Sequence, residues 1–314
     1  IVSRRYATTD LGMLSYSPDG ARLVALGGDR VVRVWQRGTS FVTSLPAAQA
    51  RQHVPAWGAG GATLVMTGSD GEVRIFRMPT TLGLGTFALA PPLLQVGLIA
   101  GGDVAIAAGD GRVLLMDPST GKTRVAGKPG QQEQRIAASP ASSVVLSSGQ
   151  DGIVTRYDLA TRTDSTMVLD RGQVDSLWYA PDGRSFAVVL ADHNIVVVAQ
   201  GGEAHLLLNR TALASLRFSP DSKQLALSLM ASSVRLYDTV KQSSWLLHTS
   251  DDEGEADSGA LAFSPDGAIL AGGGSDGVLR LWSTSQDSTR QLRELRGHKG
   301  HINDLAFSPD GASL

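Results

Sequence analysis

An acidic run at residues 251–257, DDEGEAD, is a dense group of potential metal ligands, with five carboxylates in seven residues. Alternating carboxylates can bind calcium, but the run lacks the ordered loop pattern with a central glycine and a terminal glutamate. We therefore interpret it as a solvated insertion that offers a negative patch to a basic partner.

His298 and His301 are the second candidate pair, because their spacing would suit two ligands of one metal ion. No third ligand lies near them in the sequence, so we expect hydrogen bonds in place of coordination. The sequence thus predicts no metal and no cofactor. Charged and imidazole side chains in the connections of one predicted face remain as candidates for binding a partner: His53, Arg171, Arg210, Asp251, Asp252, Glu253, His298 and His301.

Six further aspartates recur at regular intervals, mostly next to a glycine: Asp29, Asp70, Asp110, Asp151, Asp192 and Asp276. Aspartate at such positions forms turns by accepting hydrogen bonds from nearby backbone N–H groups. A catalytic aspartate would be expected to break the pattern. The most deviant turn is Asp192-His193-Asn194, and we interpret all six aspartates as structural.

Two turn sequences recur along the chain and define the elements that carry these residues. The first reads SPDG or a variant of it, at residues 17–20, 139–142, 180–183, 219–222, 264–267 and 308–311. The second contains the recurrent aspartates and leads into short alternating strands. These strands end at residues spaced 41, 40, 41, 41, 39 and 45 apart, namely Trp35, Phe76, Met116, Tyr157, Val198, Tyr237 and Trp282. Four short antiparallel strands in each unit of about 40 residues are typical of a β-propeller blade.

The composition agrees with a folded all-β protein and excludes several classes. The 314 residues are 42% hydrophobic and 18% charged, which is too apolar for a disordered chain. There is no cysteine, so a disulfide framework and a cysteine nucleophile are excluded. The net charge of −2 does not favour nucleic-acid binding, which normally needs a basic surface.

Residues 78–102 form an uncharged stretch long enough to cross a bilayer. Three prolines, Pro79, Pro91 and Pro92, interrupt it. It also lies in register with an outer and an inner strand of the repeats. We therefore predict buried strands here and no membrane span.

Catalytic motifs are absent from the sequence. It contains no GxSxG elbow, no HExxH pair, no phosphate-binding GxxxxGK[ST] loop and no GxGxxG before a helix. We predict that the chain is not an enzyme.

The runs FSPDGAILAGGGSDGVLRLWS (263–283) and GHKGHINDLAFSPDG (297–311) resemble WD repeats. The resemblance covers the whole chain, but it is weaker between residues 50 and 135. It implies an all-β propeller of four-stranded antiparallel blades, with seven blades expected and eight as the alternative. It also implies that an aromatic residue before each first turn wedges between sheets, at Tyr16, Trp57, Tyr179, Phe218, Phe263 and Phe307.

The chain departs from the family in one respect. The family often links a histidine of a Gly-His pair, a serine or threonine, the turn aspartate and a strand-end tryptophan in each blade, and no unit here holds all four. Asp276 and Trp282 share a unit without a preceding Gly-His pair.

The repeats assign residues 1–314 to a single propeller that looks cut at both ends. Residues 1–9 are predicted to be an outer strand, residues 10–296 seven repeats, and residues 297–314 the start of an eighth.

The resemblance implies a non-catalytic scaffold or sensor module that binds a protein or peptide, in a larger signalling or regulatory protein of the cytoplasm. Two alternatives stay open. One is a lactonase-like hydrolase with carboxylates or histidines converging on the central channel, and the other is a sensor that binds a small ligand in that channel.

Overall fold

Proline, aspartate and glycine interrupt the apolar alternation at regular intervals, and the chain therefore folds into short strands joined by tight turns. A computed structural model of the chain describes residues 11–39, 42–45, 55–68, 70–78, 83–89, 93–100, 102–126, 135–149, 151–169, 172–199, 202–207, 212–229, 233–247, 258–286 and 291–314.

The described residues form seven sheets of four strands each, and we number sheets and strands in chain order. Sheet 1 contains β1 (Leu11–Tyr16), β2 (Arg22–Gly27), β3 (Val32–Gln36) and β4 (Val42–Leu45). Sheet 2 contains β5 (Ala56–Trp57), β6 (Thr63–Thr67), β7 (Glu72–Arg77) and β8 (Gly83–Ala88). Sheet 3 contains β9 (Leu93–Leu98), β10 (Val104–Ala108), β11 (Val113–Met116) and β12 (Thr123–Val125). Sheet 4 contains β13 (Arg135–Ala138), β14 (Val144–Ser148), β15 (Ile153–Asp158) and β16 (Thr163–Val168).

The remaining three sheets follow the same order. Sheet 5 contains β17 (Val174–Tyr179), β18 (Phe186–Leu190), β19 (Ile195–Val198) and β20 (Ala204–Leu207). Sheet 6 contains β21 (Leu213–Phe218), β22 (Gln224–Leu229), β23 (Ser233–Asp238) and β24 (Ser243–Leu247). Sheet 7 contains β25 (Ser258–Phe263), β26 (Ile269–Gly274), β27 (Val278–Ser283) and β28 (Gln291–Arg296).

Every sheet is an antiparallel meander in which each strand pairs with the next one along the chain. The register follows the repeat, so that the last residue of each third strand lies opposite the start of the second strand, as Trp282 does with Leu270. A bulge interrupts the pairing of the first strand with the second in sheets 1, 3, 5, 6 and 7. The first strands surround the axis, and the fourth strands lie outermost.

The core lies between neighbouring sheets and not inside any one of them, because both faces of the middle strands carry apolar side chains. Leu225 and Tyr237 of sheet 6, for example, pack on Ala187, Val189 and Val197 of sheet 5. Seven such sheets in a ring form a seven-bladed β-propeller, which confirms the predicted fold.

The predicted wedge residues are only half-buried: Tyr16, Trp57, Tyr179, Phe218, Phe263 and Phe307. They lie at the edge of the ring's core, where each first strand ends. The equivalent residues near the ends of the third strands of sheets 2 to 7 are buried more deeply, and Trp282 is only 1% exposed, whereas Trp35 of sheet 1 is half-buried.

The uncharged stretch at 78–102 contains β8 and β9, so the prediction of strands there is confirmed. The prediction that they are buried holds only in part, since Thr86 and Ala88 of β8 are exposed and β9 buries Leu93 and Val96 alone. The described part of the chain has a short 3-10 turn at Ala59–Gly61 and no helix that is long and apolar enough to cross a membrane.

The two predicted end segments differ in what the structure describes. Residues 1–9 lie outside the described residues. Residues 297–314 are described, contain no strand, and fold into a turn at 308–313.

Candidate functional site

The recurrent aspartates lie in the turns between second and third strands, on the face of the ring that we name the Asp-Gly rim. In all six turns one carboxylate oxygen accepts the N–H of the residue two positions later, at 2.9–3.2 Å. The donors are Val31, Glu72, Arg112, Ile153, Asn194 and Val278. This bond fixes the turn, as expected for a structural aspartate.

In sheets 1, 2 and 7 the turn aspartate also pairs with an arginine four residues later, which returns along the third strand. The nitrogen–oxygen distances are 2.5 Å for Arg33 and Asp29, 2.7 Å for Arg74 and Asp70, and 2.6 Å for Arg280 and Asp276. The hydrogen bond from Arg33 lowers the pKa of Asp29 to about 2. These arginines were not singled out from the sequence, although the D-x-x-x-R spacing was available as a signal.

The side chain of Arg280 is only 5% exposed. Besides Asp276 it lies 3.6 Å from Glu294 of the outermost strand. The nearby Trp282 Nε1 has no hydrogen-bond partner among the described residues. In sheet 7 the aspartate is therefore held by an arginine and not by the four-residue set that the family often uses.

Most of the predicted partner-binding residues lie outside the described residues: His53, Arg171, Arg210, Asp251, Asp252 and Glu253. His298 and His301 are described and exposed. Both lie beside the Asp276 turn, where the carbonyl of His298 approaches Gly277 and the imidazole of His301 lies over Gly259. The described residues contain no group of three side chains that could hold a metal ion.

A cavity of about 740 Å³ lies between the first strands of the sheets. Its walls are the first strands of sheets 1 to 6, together with Asp304 from the segment after β28. Recognition there depends on the side chains that these strands turn toward the axis.

One layer of the cavity consists of the residues that precede the wedge positions. Six of the eight repeats place a small residue there: Ser15, Ala56, Gly97, Ala137, Ala262 and Ala306. The other two place Trp178 and Arg217. At this position a large aromatic and a cation therefore stand on two neighbouring first strands, where the other repeats have a small side chain.

Trp178 and Arg217 contact each other across neighbouring first strands. The guanidinium carbon of Arg217 lies 5.2 Å from the centroid of the Trp178 ring, within the range of a cation–π contact. Arg217 also lies 3.7 Å from Asp304, whose second oxygen accepts the backbone N–H of Leu14 at 2.8 Å. Burial lowers the pKa of Arg217 and the charge of Asp304 opposes the change, but an arginine remains charged at neutral pH.

The next layer toward the Asp-Gly rim is polar. Arg135 donates to the backbone carbonyl of Asp175 at 2.5 Å and keeps 41% of its side chain exposed. Gln95 accepts the backbone N–H of Ile136. Trp178 donates to Ser176, and 37% of its surface stays exposed. This arrangement can bind an anionic or amide-bearing group against an aromatic face.

Sequence reasoning missed Arg135, Trp178, Arg217 and Asp304. The signal was present in the register of the repeats, because Trp178 and Arg217 break a column of small residues. It becomes visible only when the residue before each wedge position is compared across all eight repeats.

Comparison with known proteins agrees with the repeats. The family model described as WD domain, G-beta repeat matches residues 8–36, 254–283 and 289–314. The chain is 25% identical over 194 residues to pre-mRNA-processing factor 19 homolog 2 of Arabidopsis thaliana, which covers 60% of this chain and 36% of that protein. It is 26% identical over 186 residues to an uncharacterized WD repeat-containing protein of Synechocystis sp., which covers 57% of this chain and 45% of that protein.

A shorter match involves a mouse protein, the U5 small nuclear ribonucleoprotein 40 kDa protein, with 45% identity over 49 residues. That match covers 16% of this chain and 13% of the relative. The chain thus spans less than half the length of each of these three relatives. The chain is thus a seven-bladed β-propeller that is similar to WD-repeat proteins, with three segments that match the WD-repeat model.

Proposed function

We propose that this propeller is a non-catalytic protein-interaction module within a larger signalling or regulatory protein, and that it binds a protein segment at the mouth of its central channel. WD-repeat propellers generally bind protein partners, and the name of the mouse relative describes that protein as part of a ribonucleoprotein.

The observation that carries the proposal is the exposed Trp178 with Arg217 stacked on it. Tryptophan and arginine are the residue types that contribute most to the binding energy of protein interfaces. In six of the eight repeats the equivalent position is small, so the fold does not require a large side chain there. Two bulky side chains that the fold does not require are best explained by recognition.

The charge of the lining defines the partner's chemistry. Arg135 and Arg217 place two cations on the channel, each near one carboxylate: Arg135 lies 3.9 Å from Asp175 and Arg217 lies 3.7 Å from Asp304, while 41% of the Arg135 side chain stays exposed. An extended segment with a carboxylate would pair with Arg135, while an apolar or aromatic neighbour would pack on Trp178. We infer an acidic segment with at least one large apolar residue as the ligand.

The hydrolase alternative calls for carboxylates or histidines that converge on the channel. Among the described residues, Asp304 is the carboxylate of the lining, and its oxygens face Leu14 N–H and Arg217. Tyr179 is a poor base, since burial raises its pKa to about 12. The described lining therefore supports binding better than hydrolysis.

A selection from a random library of short peptides, with the 314-residue chain as bait, tests the proposal. We expect the selected peptides to be enriched in aspartate, glutamate and aromatic residues. Their affinity should fall at least tenfold in Trp178→Ala and in Arg135→Ala, because each substitution removes a central contact.

Leu246→Ala is the matched control, since Leu246 is exposed on the outer strand of sheet 6, away from the channel. Its affinity should equal that of the unmodified chain. Peptides whose binding survives both channel substitutions, or is lost in the Leu246 variant alone, would place the binding surface elsewhere.

A further inference from the structure

Asp304 places a carboxylate in the wall of the cavity, three residues before a wedge position. Its side chain is 16% exposed. None of the other seven repeats has an acidic residue at the equivalent position. The residues there are Met13, Val54, Gln95, Arg135, Ser176, Ser215 and Ala260. The repeat therefore does not require a carboxylate at this position.

Hydrogen bonds to the backbone do not explain the charge of Asp304. Its Oδ2 atom accepts the N–H of Leu14 in sheet 1 at 2.8 Å, and its Oδ1 atom accepts the N–H of Leu305 at 2.9 Å. In sheet 3 the amide oxygen of Gln95 accepts the N–H of Ile136 in the next sheet at 3.1 Å, from the equivalent position. A neutral amide can thus make the bond between neighbouring first strands, so the negative charge needs a separate reason.

Arg217 is the cation that Asp304 faces. Its Nη2 atom lies 3.7 Å from Asp304 Oδ1, and its Nη1 atom donates to the carbonyl of Leu216 at 2.8 Å. The same guanidinium lies over the ring of Trp178. A carboxylate, a carbonyl and an aromatic ring of the chain itself therefore surround this guanidinium. The positive charge of Arg217 is balanced inside the protein.

Arg135 has a more solvated carboxylate beside it. That carboxylate is Asp175, at 3.9 Å, and 66% of the Asp175 side chain is exposed. Ion pairs between exposed side chains contribute little, because water screens the charges. Asp304 is less exposed, and two backbone N–H groups hold it in place. A ligand carboxylate can therefore replace Asp175 beside Arg135 more easily than it can replace Asp304 beside Arg217.

We propose that Asp304 determines the charge specificity of the channel, an inference that rests on the function proposed above. Asp304 keeps Arg217 in an ion pair within the chain and repels a second carboxylate of the ligand. The site then accepts a segment with one acidic group, which pairs with Arg135, and discriminates against segments with two. Repulsion between like charges is strong in a partly buried site, and specific binding sites use repulsion as well as attraction.

The variant Asp304→Asn tests the proposal, because asparagine keeps an oxygen that can accept the N–H of Leu14 but loses the charge. Selection from the random peptide library is repeated with this variant as bait. We expect about one more acidic residue in each selected peptide than with the unmodified chain as bait. These peptides should bind the variant more tightly than the unmodified chain, by about fivefold or more, because a repelling charge has been removed.

Two further variants assign the gain in affinity to the channel. Asp164 is exposed on the outer strand of sheet 4, so Asp164→Asn makes the same change in net charge away from the channel. Its affinity for these peptides should equal that of the unmodified chain. Arg217→Met combined with Asp304→Asn should lose the gain, since no cation is then released for the second carboxylate.

Sulfate is a probe of the same charge balance that needs no peptide. At constant ionic strength it should bind Asp304→Asn more tightly than the unmodified chain, by about fivefold or more. The nuclear magnetic resonance signal of the Trp178 indole N–H, assigned by its loss in Trp178→Ala, reports binding within the channel.

The outcomes separate this inference from the proposed function. If no selected peptide binds at the channel of the unmodified chain, the proposed function fails, and the sulfate titration alone decides the role of Asp304. Peptides that bind there with equal affinity and equal acidic content in both proteins would overturn the inference and leave the proposed function standing. Equal sulfate affinities would overturn it as well. Asp304→Gln, which copies Gln95, replaces the asparagine variant if that variant fails to fold.

Discussion

Asp276 and Asp151 occupy equivalent turns but have different partners. Each accepts the backbone N–H two residues later, at 2.9 and 3.1 Å. Asp276 also neutralises Arg280, whose side chain is 5% exposed. The residue four positions after Asp151 is Thr155, which carries no charge. The same turn residue therefore has one structural role in sheet 4 and two in sheet 7.

Replacing these two aspartates separates the roles. Asp151→Ala removes one turn hydrogen bond and should lower the free energy of unfolding by about 1 kcal/mol. Asp276→Ala also leaves a buried guanidinium without its main partner, and should cost about 2–4 kcal/mol. Urea denaturation of both variants measures the difference. Equal losses would show that the Asp276–Arg280 pair adds nothing to the turn.

The low pKa of Asp29 has a consequence for acid stability. Its folded pKa is about 2, below the value of about 3.9 expected for an unfolded chain. The stabilisation that it provides is complete above the unfolded pKa and disappears as the pH falls through the folded pKa. Between about pH 4 and pH 2 the free energy of unfolding should therefore decrease as acid is added.

Asp29→Asn provides the comparison, because asparagine keeps an oxygen that can accept the N–H of Val31 but loses the titrating carboxyl. Urea unfolding over that pH range should give a shallower dependence for the variant than for the unmodified chain. Parallel curves for the two proteins would show that Asp29 does not contribute.

The sequence alone identified the turn aspartates but not their arginine partners, since the aspartate recurs in six of the seven units and the arginine four residues later in only three. The residues that line the channel were more difficult to predict from the sequence than the turn residues. The notable residues of the loops are charged, whereas Trp178 and Arg217 lie within strands and stand out only against the small residues at equivalent positions. The sequence of one strand does not show how far its side chains are buried or which side chains of the neighbouring sheet they contact.

At the scale of elements, the strand order was predictable because each turn carries proline, aspartate or glycine at a fixed place. The unit boundaries were least distinct between residues 50 and 135, and there the structure has its shortest strands. β5 contains two residues and β12 contains three. Short strands leave few pairing bonds, and their sequence pattern is correspondingly weak.

Burial of the strands predicts how fast their amides exchange with solvent. Every residue of β18 and β19 is buried, whereas every residue of β12 is exposed. Local opening requires less free energy where few apolar contacts are lost. Hydrogen exchange followed by mass spectrometry should find β18 and β19 among the slowest segments and β12 among the fastest. Similar protection of β12 and β19 would contradict this ranking of the sheets.

At the scale of the whole molecule, the segment after β28 joins sheet 7 to sheet 1. Ile302 is 5% exposed and packs with Ala260 and Leu279. A methyl group on Gly273 would lie 2.4 Å from its Cγ2 atom, so glycine is needed for this close approach. The segment is therefore part of the ring's packing and not an appendage.

Ile302→Ala should lower the free energy of unfolding by about 2–4 kcal/mol, because it opens a cavity against sheet 7. Val240→Ala is the control, since Val240 is 71% exposed and its loss should change stability by less than about 0.5 kcal/mol. Urea denaturation measures the free energy of unfolding of both variants. A cost for Ile302→Ala as small as that of the control would mean that the segment is not packed into the ring.

The central claim is that the fold is held by its turns and sheets, while recognition depends on the channel side chains that break the repeat. The most direct measurement is the affinity of a selected peptide for Trp178→Ala, made together with the variant's free energy of unfolding. We predict at least tenfold weaker binding with a change in stability below about 1 kcal/mol, since the exposed ring contributes little to the core. Unchanged affinity, or an affinity that falls only because the protein has lost its stability, would contradict the claim.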